Sequence, residues 1–362
     1  DALPQGQKDL GLEVKQSNLC SEITLPTNDE RTAVCCLSSV NLEHFDEWSK
    51  DDKFIDDLVT MLDNVLEHFI ENAVDLNSLG GYNANYERFK KHIKEGKEGF
   101  TKAAYSAYRE RSIGLGAMGF HSYLQNQNIP FEGIFSTGIN YKLFKFIKGA
   151  AVLASRRLAV LRGEAPDISN SGLRNCHLLA VAPNASSSII CGGTSPSIEP
   201  IRANVFTHKT LSGSYKVKNK NLEKLINKKV TDPKKRKKVW QDISDNRGSI
   251  QELKLFTKEE KEIFKTADEI NQIWVVEHAY KRQEFICQSQ SVNLFFILPD
   301  STQNQEQHNE YLQYVSDVHW YGANKLKSLY YFRSDAAKAA ENVNIKVPRI
   351  KLDEVECIAC EG

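Results

Sequence analysis

Long apolar stripes at helical spacing alternate along this chain with shorter apolar runs. Residues 55 to 70 carry apolar side chains every three or four positions, which predicts one face of a long amphipathic helix. Similar patterns cover residues 141–161, 259–287 and 310–327. Between these patterns lie short apolar or β-branched runs at residues 32–40, 113–120, 177–182, 291–298 and 329–332. Strands that alternate with helices are typical of an α/β protein with a largely parallel or barrel-like sheet.

Composition and charge are those of an ordinary globular protein. The chain has 362 residues, of which 41% are hydrophobic and 26% charged. Its 47 Lys and Arg balance 47 Asp and Glu, so no net charge attracts nucleic acid or an anionic membrane. No stretch reaches the ~20 apolar residues of a membrane span, and the first residues lack the apolar core of a secretory signal. We therefore expect a cytoplasmic protein that binds neither membrane nor nucleic acid.

Two segments stand out from the body of the chain. Lys216 to Lys238 contains eleven Lys or Arg and resembles a nucleic-acid patch, but it lacks interleaved aromatic residues. A solvated helix is therefore the favoured interpretation. Beyond Phe332 the sequence is polar and has no periodic apolar face. We predict one folded body over residues 1–334 and a flexible tail over residues 335–362.

The glycines Gly114, Gly116 and Gly119 form a literal G-x-G-x-x-G. A dinucleotide-binding unit would place them between a strand and a helix, with an acidic residue about 20 positions further on. Here the glycines fall within an apolar run, and Glu132 follows Gly119 too soon. We predict that they allow close packing of a strand against a helix, and a nicotinamide-dependent dehydrogenase is the weaker alternative.

Residues 182–188, with the sequence APNASSS, follow an apolar strand and open a predicted helix. Free backbone N–H groups and serine hydroxyls at the start of a helix favour the binding of an anion, and phosphate is the anion we expect. An ordinary N-capped helix explains the same residues. The segment has no lysine, so it is not a Walker loop.

Asn18, Cys20 and Glu22 occupy alternate positions in one short segment. If the segment is extended or looped, the three side chains point the same way and set an amide, a thiol and a carboxylate side by side. A sulfur nucleophile beside a general base is a typical active-site grouping. A buried cysteine is equally often a small hydrophobe, so both interpretations stay open at this point.

The eight cysteines are too sparse and irregular for a secreted disulfide framework. Cys35 and Cys36 are adjacent, and Cys357 and Cys360 form a closing C-x-x-C. This last pair could be half of a zinc site, but no second pair follows it, and thiol–disulfide exchange at the end of a flexible tail fits it better. The adjacent aromatic residues at positions 330 and 331 indicate no more than packing when judged on spacing alone.

Taken together, these segments resemble the C-terminal part of the catalytic large subunit of class I ribonucleotide reductase. They occur in the family's order, from about residue 12 to the end: QSNLCSEI, VCCLSSVNL, RSIGLGAMGF, APNASSSII, PSIEP, LSGSYKVKN, SQSVNLFF, KSLYYF and the tail cysteines. The resemblance implies an α/β fold that is about the second half of a ten-stranded α/β barrel, with a central finger loop that carries the catalytic cysteine.

The resemblance also implies an activity, the reduction of ribonucleoside diphosphates to deoxyribonucleoside diphosphates by a thiyl-radical mechanism that supplies DNA precursors. In that mechanism Cys20 would become the thiyl radical, Glu22 would accept the 3′ hydroxyl proton, and Asn18 would hold that hydroxyl. Cys35 would be one of two reducing thiols. Whether the neighbouring Cys36 contributes stays open.

Further roles follow from the same resemblance. Tyr330 and Tyr331 would relay an electron and a proton between Cys20 and a radical on a second subunit. Cys357 and Cys360 would re-reduce the active-site disulfide. The substrate diphosphate would bind to a loop formed by Pro183, Asn184, Ala185, Ser186 and Ser187.

The expected partners are a ribonucleoside diphosphate substrate, a radical-bearing small subunit and a thioredoxin- or glutaredoxin-type reductant. The radical in the small subunit would be linked to a metal, and we expect no cofactor in this chain itself. The family's large subunit is about twice as long, and its N-terminal half would supply the partner of Cys35. We therefore expect half of a split enzyme or a truncated sequence, active only when complemented.

The other cysteines and the rival function complete the expectations. Cys176, Cys191 and Cys287 lie in segments where the family has no reducing thiol, so they are expected to be structural. A catalytically silent assembly or regulatory module with the same fold is the alternative to the enzyme. The presence of the whole set of candidate catalytic residues favours the enzyme.

Overall fold

The computed structural model describes residues 2–80, 84–210, 213–297 and 305–334. Its strands are β1 (Cys36–Asn41), β2 (Ile113–Met118), β3 (Val205–Thr210), β4 (Gly213–Lys218), β5 (Leu294–Phe296) and β6 (Phe332–Ser334). Its α-helices are α1 (Gln5–Asp9), α2 (Phe45–Trp48), α3 (Asp52–Ala73), α4 (Tyr86–Lys91), α5 (Thr101–Glu110), α6 (Phe120–Asn126), α7 (Ile134–Arg162), α8 (Ala185–Ile190), α9 (Lys220–Lys229), α10 (Pro233–Asp245), α11 (Lys258–Ile263), α12 (Gln272–Gln283) and α13 (Gln305–Lys325).

Parallel pairing of extended segments forms the centre of the molecule. β1 pairs with β2, and a β-bridge from Leu115 to Leu179 adds the next segment. A second bridge, from Val181 to Gln290, leads to the segment that continues into β5, and β5 pairs with β6. All of these pairs are parallel, and neighbours in space follow the order of the chain. This is the arrangement of part of the wall of an α/β barrel.

The helices cover one face of this wall. In β2 the side chains of Ile113, Leu115 and Ala117 are fully buried in the main hydrophobic core, which also holds the apolar faces of α3, α5, α7 and α12. Helix α3 begins after Asp51, whose carboxylate accepts a hydrogen bond from the Lys53 N–H, as an N-cap does. Its observed span includes the whole apolar stripe predicted at residues 55 to 70.

Two of the three glycines of the G-x-G-x-x-G segment contact neighbouring strands rather than a helix. Gly114 and Gly116 lie inside β2 and face the neighbouring strands, on the side opposite the core. A Cβ on Gly114 would stand 3.1 Å from the Cys35 Sγ, and a Cβ on Gly116 would stand 2.6 Å from the carbonyl oxygen of Ala180. The prediction that the glycines pack a strand against a helix is therefore wrong for Gly114 and Gly116, because their close neighbours belong to the sheet. Gly119 lies at the N-cap of α6, and a Cβ on it would stand 3.2 Å from the Glu43 nitrogen of a 3₁₀ turn.

A second, smaller hydrophobic cluster surrounds α9 and α10. It buries Val205, Leu222, Ile226, Trp240 and Ile243 next to the β3–β4 hairpin. The basic run at residues 234–238 lies in the first turns of α10 and is mostly exposed. The prediction of a solvated helix for this run is confirmed.

One predicted helix is divided in the structure. The pattern at residues 259–287 gives α11, a short 3₁₀ turn at Ala267–Glu269, and α12. Thr266 and Glu269 form a capping box, and Asn271 caps α12, so two new helix starts interrupt the stripe. The apolar spacing continues across the breaks because the link also buries Ala267 and Ile270.

None of the described helices has the length and apolar character needed to cross a membrane. The predicted tail at residues 335–362 lies outside the described residues, so the division of the chain at residue 334 stays a prediction.

Candidate active site

The loop that carries Cys20 is a tight turn rather than an extended segment. The Ser21 N–H donates to the Asn18 carbonyl at 3.1 Å, and Ser21 adopts a φ of +68°, a region that favours glycine. This turn brings the Asn18 amide to the Glu22 carboxylate, with Nδ2 to Oε2 at 2.8 Å. The amide and the carboxylate therefore meet as predicted, and the thiol points elsewhere.

The Cys20 thiol points at a phenol from the far end of the described chain. Its Sγ donates to the Tyr330 Oη at 3.4 Å. The rings of Tyr330 and Tyr331 stack, with centroids 3.9 Å apart and an angle of 29° between their planes. Burial, followed by hydrogen bonds to Cys20 and Tyr331, raises the pKa of Tyr330 well above its usual value. The phenol is therefore neutral at physiological pH, and the two rings and the sulfur form a continuous row.

Backbone contacts hold this row in place. The Tyr330 N–H donates to the Val292 carbonyl at 2.9 Å, and the Tyr331 carbonyl accepts from the Leu294 N–H at 2.9 Å. The parallel pairing of β5 with β6 thus fixes where both tyrosines leave the sheet. The Arg333 guanidinium lies over the Tyr331 ring, 4.6 Å from its centroid.

Serine hydroxyls complete the surroundings of the Cys20 loop. Ser291 donates to the Glu22 carboxylate at 3.3 Å and to the Cys20 carbonyl. Ser328 donates to the Ser21 carbonyl at 2.9 Å, and its hydroxyl is 2.6 Å from that of Ser289. Glu22 is only 3% exposed, and the Ser291 hydroxyl and the Asn18 amide compensate its carboxylate for lost water. The sequence analysis missed all three serines, since only the pairing of distant segments brings them here.

Cys35 and Cys36 face opposite sides of the sheet edge. Cys35 lies beside Gly114 and accepts a hydrogen bond from the Gln288 Nε2 at 3.2 Å. Cys36 packs against the main hydrophobic core. Burial raises the pKa of Cys35 to about 12, against the opposing effect of the Gln288 hydrogen bond, and burial also raises the pKa of Cys36. Only Cys35 faces the side on which Gln288 and the Cys20 loop lie.

The predicted anion loop lies at the carboxyl end of its extended segment and opens α8. Asn184 has a left-handed φ of +52°, and its amide donates to the Ser39 hydroxyl at 2.9 Å instead of capping α8. No side chain from the N-cap therefore occupies the first N–H groups of the helix. The side chains at the start of this helix are exposed, namely Ala185, Ser186 and Ser187, and Pro183 is half-buried.

The remaining cysteines are scattered. Cys176 is buried and Cys191 is exposed. The Cys287 sulfur accepts hydrogen bonds from the Leu178 and Leu179 N–H groups at 3.0 and 3.2 Å. In the described part of the chain, no three His, Cys, Asp or Glu side chains gather as metal ligands. Cys357 and Cys360 lie outside the described residues.

Comparisons with known proteins agree with this fold. The family model described as "Ribonucleotide reductase, barrel domain" matches residues 5–171 and 165–332. A "Ribonucleoside-diphosphate reductase large subunit" of Invertebrate iridescent virus 3 is 43% identical over 365 residues, which cover 100% of this chain and 52% of that protein. A protein of the same name in Invertebrate iridescent virus 6 is 43% identical over 327 residues, which cover 90% of this chain and 31% of that protein.

A solved structure has the same fold. The "Actinobacillus ureae class Id ribonucleotide reductase alpha subunit" matches with a TM-score of 0.74 and 35% identity, over 92% of this chain and 56% of that one. The parallel wall thus defines an α/β barrel protein. The chain belongs to the ribonucleotide reductase family, and it corresponds to part of the barrel domain of the large subunit. It spans between 31% and 56% of the length of these relatives, and the expected fold class is confirmed.

Proposed function

We propose that this chain contributes the radical and thiol chemistry of a ribonucleoside-diphosphate reductase large subunit. The observation that carries the proposal is the row formed by the Cys20 thiol, the Tyr330 phenol and the Tyr331 ring, with Glu22 and Asn18 on the same loop as the thiol. A thiol that donates to the first of two stacked phenols is a short path for a radical. Packing alone does not require that a cysteine donate to a tyrosine hydroxyl.

The reaction starts at Cys20. A radical that arrives through Tyr331 and Tyr330 takes the hydrogen atom from the Cys20 sulfur, and the resulting thiyl radical removes the hydrogen atom from C3′ of the ribose. Glu22 accepts the proton of the 3′ hydroxyl, which Asn18 positions. In the free protein the Asn18 amide already donates to Glu22, so the substrate hydroxyl enters between two groups aligned for it.

Loss of the 2′ hydroxyl requires two electrons and two protons, one proton for the departing water and one for the hydrogen that C2′ gains. The C2′–O bond breaks, the oxygen leaves as water, and C2′ gains a hydrogen. The electrons come from Cys35 and a second cysteine thiol, which form a disulfide, and Cys20 then returns its hydrogen atom to C3′. The second thiol belongs to the remainder of the large subunit in this proposal, because Cys36 faces the hydrophobic core.

The loop of Pro183, Asn184, Ala185, Ser186 and Ser187 binds the substrate diphosphate in this proposal. Its support is the free first turn of α8 and the exposed serine hydroxyls. Cys357 and Cys360 return electrons to the disulfide by thiol–disulfide exchange, supplied by a thioredoxin- or glutaredoxin-type protein. The radical comes from a metal-containing small subunit.

Replacing Cys20 by serine tests the proposal in the assembled enzyme, with the remainder of the large subunit and the small subunit present. Cys20→Ser should abolish deoxyribonucleoside diphosphate formation and leave substrate binding unchanged, because the O–H bond is too strong to form the required radical. Cys191→Ser, at an exposed cysteine, is the matched control and should keep full activity. Normal product formation by Cys20→Ser would favour the silent assembly module.

A further inference from the structure

Gln288 lies between Cys35 and the segment that follows the Cys20 loop, and its carboxamide forms hydrogen bonds with both. The Oε1 accepts from the Thr24 N–H at 3.3 Å, two residues after Glu22. The Nε2 donates to the Cys35 sulfur at 3.2 Å and to the Ile113 carbonyl at 3.1 Å. The side chain is fully buried, and both of its N–H donors and its carbonyl oxygen are used.

Lys327 fixes the backbone on which Gln288 sits. Its ammonium donates to three consecutive carbonyl oxygens, those of Ile286 at 3.2 Å, Cys287 at 2.8 Å and Gln288 at 2.8 Å. The Gln288 N–H also donates to the Leu179 carbonyl at 3.1 Å. Lys327 lies three residues before Tyr330, so the same contact ties the tyrosine segment to the segment that carries Gln288.

We propose that Gln288 is a positioning residue that holds the Cys35 sulfur at a set distance from the Cys20 loop and donates a hydrogen bond to that sulfur. The assignment of a redox role to Cys35 rests on the proposed function, whereas the placement of its sulfur by Gln288 does not. A hydrogen bond donated to a sulfur favours the thiolate, which is the reactive form of a cysteine. A side chain of the same length without the N–H would leave the sulfur in a more apolar site.

The test measures the rate of iodoacetamide alkylation of Cys35 in the full chain between pH 7 and pH 10, with each cysteine followed by mass spectrometry. Gln288→Met keeps the length of the side chain and removes all three hydrogen bonds of the carboxamide. The Cys35 rate should fall about tenfold at each pH, which corresponds to a pKa higher by about one unit. Cys36 in the same molecules should react at its wild-type rate, because its side chain faces the core.

The matched control is Gln290→Met, two residues along the same segment. Gln290 is also fully buried, but its amide accepts from Arg282 at 2.6 Å and donates to the Ala279 carbonyl at 2.8 Å, away from Cys35. The rate of Cys35 alkylation in Gln290→Met should match the wild-type rate. A Cys35 rate in Gln288→Met that equals the wild type, or a joint rise for Cys35 and Cys36, would overturn the proposal, since the second result means general loosening.

A second variant covers the case in which Gln288→Met does not fold. Gln288→Glu keeps an oxygen that accepts from the Thr24 N–H and replaces the donor beside Cys35 by an acceptor. Alkylation of Cys35 should slow by at least the same factor, and a wild-type rate contradicts the proposal. Turnover is measured separately in the assembled enzyme. If Gln288 variants slow the alkylation of Cys35 but the assembled wild-type enzyme shows no turnover, the assignment of Gln288 stands and the proposed function is rejected.

Discussion

At the scale of single residues, the hydroxyl and the ring of Tyr330 make different contacts. The ring stacks on Tyr331, whereas the hydroxyl receives the Cys20 hydrogen bond. A substitution that removes the oxygen but keeps the ring therefore tests the proposed radical transfer without changing the packing. A phenyl ring keeps the shape of the site but cannot form a neutral oxygen radical.

Tyr330→Phe should give an assembled enzyme with undetectable turnover, normal substrate binding and a loss of stability of about 1 kcal/mol or less, the typical contribution of one neutral hydrogen bond. Product assays, equilibrium dialysis and urea unfolding measure the three quantities. Tyr280→Phe, at a half-exposed tyrosine of α12, is the control and should retain activity. Full turnover in Tyr330→Phe would mean that the two tyrosines serve only in packing.

At the scale of elements, the glycines of β2 set how closely the neighbouring strands approach. A Cβ on Gly116 would meet the carbonyl oxygen of Ala180 at 2.6 Å and the Ser39 hydroxyl at 3.2 Å. A backbone oxygen in a sheet moves only if the sheet moves. This position therefore tolerates no side chain without a shift of the parallel wall.

Gly116→Ala should lower the free energy of unfolding by about 1–3 kcal/mol, the usual effect of overpacking a core. Gly149→Ala makes the same change on the exposed face of α7, where nothing lies within 4 Å of the added Cβ. That variant should be neutral or more stable by up to about 1 kcal/mol, because alanine favours a helix. Urea unfolding of both variants decides whether close approach or loss of flexibility dominates at Gly116.

The amphipathic helices were predictable because their signal is local. The stripe at residues 55–70 gave α3, and that at residues 141–161 gave most of α7. The break between α11 and α12 was missed, since the caps at Thr266 and Asn271 do not disturb the apolar spacing.

The candidate site was predictable only in part. Motif resemblance indicated Cys20 and Tyr330, which hydrogen-bond although 310 positions separate them. Gln288 and Ser291 carry no signal of their own, because their neighbours are set by the parallel pairing of distant segments. The packing of Gly114 and Gly116 was predicted wrongly for the same reason, because their neighbours lie on distant strands and segments that no local pattern identifies.

At the scale of the whole molecule, two buried carboxyl groups make stability depend on pH. Burial raises the pKa of Glu110 to about 8 and that of Glu199 to about 7, against the opposing effects of Arg31 and Asn293 respectively. Between about pH 4.5 and pH 8 the folded chain therefore holds protons that the unfolded chain releases. The stability contributed by these two groups is complete below this window and is lost as the pH rises through it.

Glu199→Gln should reduce the fall in stability between pH 5 and pH 8, because the amide resembles the protonated acid and does not titrate. Thermal unfolding at the two pH values measures the difference, and the variant's advantage should grow with pH. Glu87→Gln, on the exposed side of α4, should leave the fall unchanged. An equal fall in Glu199→Gln and wild type would mean that this carboxyl does not titrate in the window.

The parallel wall also has an open side. β1 pairs only with β2 among the described strands, and Leu37 of β1 is 38% exposed. Mixing the chain with the part of the Invertebrate iridescent virus 3 relative that it does not match should raise the melting temperature, since an open sheet edge gains partners. Turnover should then require the small subunit as well. Turnover at a normal rate by this chain and the small subunit alone would contradict this prediction.

The opposite orientation of Cys35 and Cys36 has a consequence for which of the two thiols faces Gln288. The two side chains are chemically identical, so only their surroundings distinguish them. Which sulfur meets Gln288 depends on the alignment of β1 with β2, and a slip by one residue exchanges the two faces of a strand. A single-residue deletion before Cys35 could therefore present Cys36 in its place. The register of β1 therefore determines which cysteine sulfur accepts the Gln288 hydrogen bond, and a shift by one residue would change the thiol at that position without changing its chemical type.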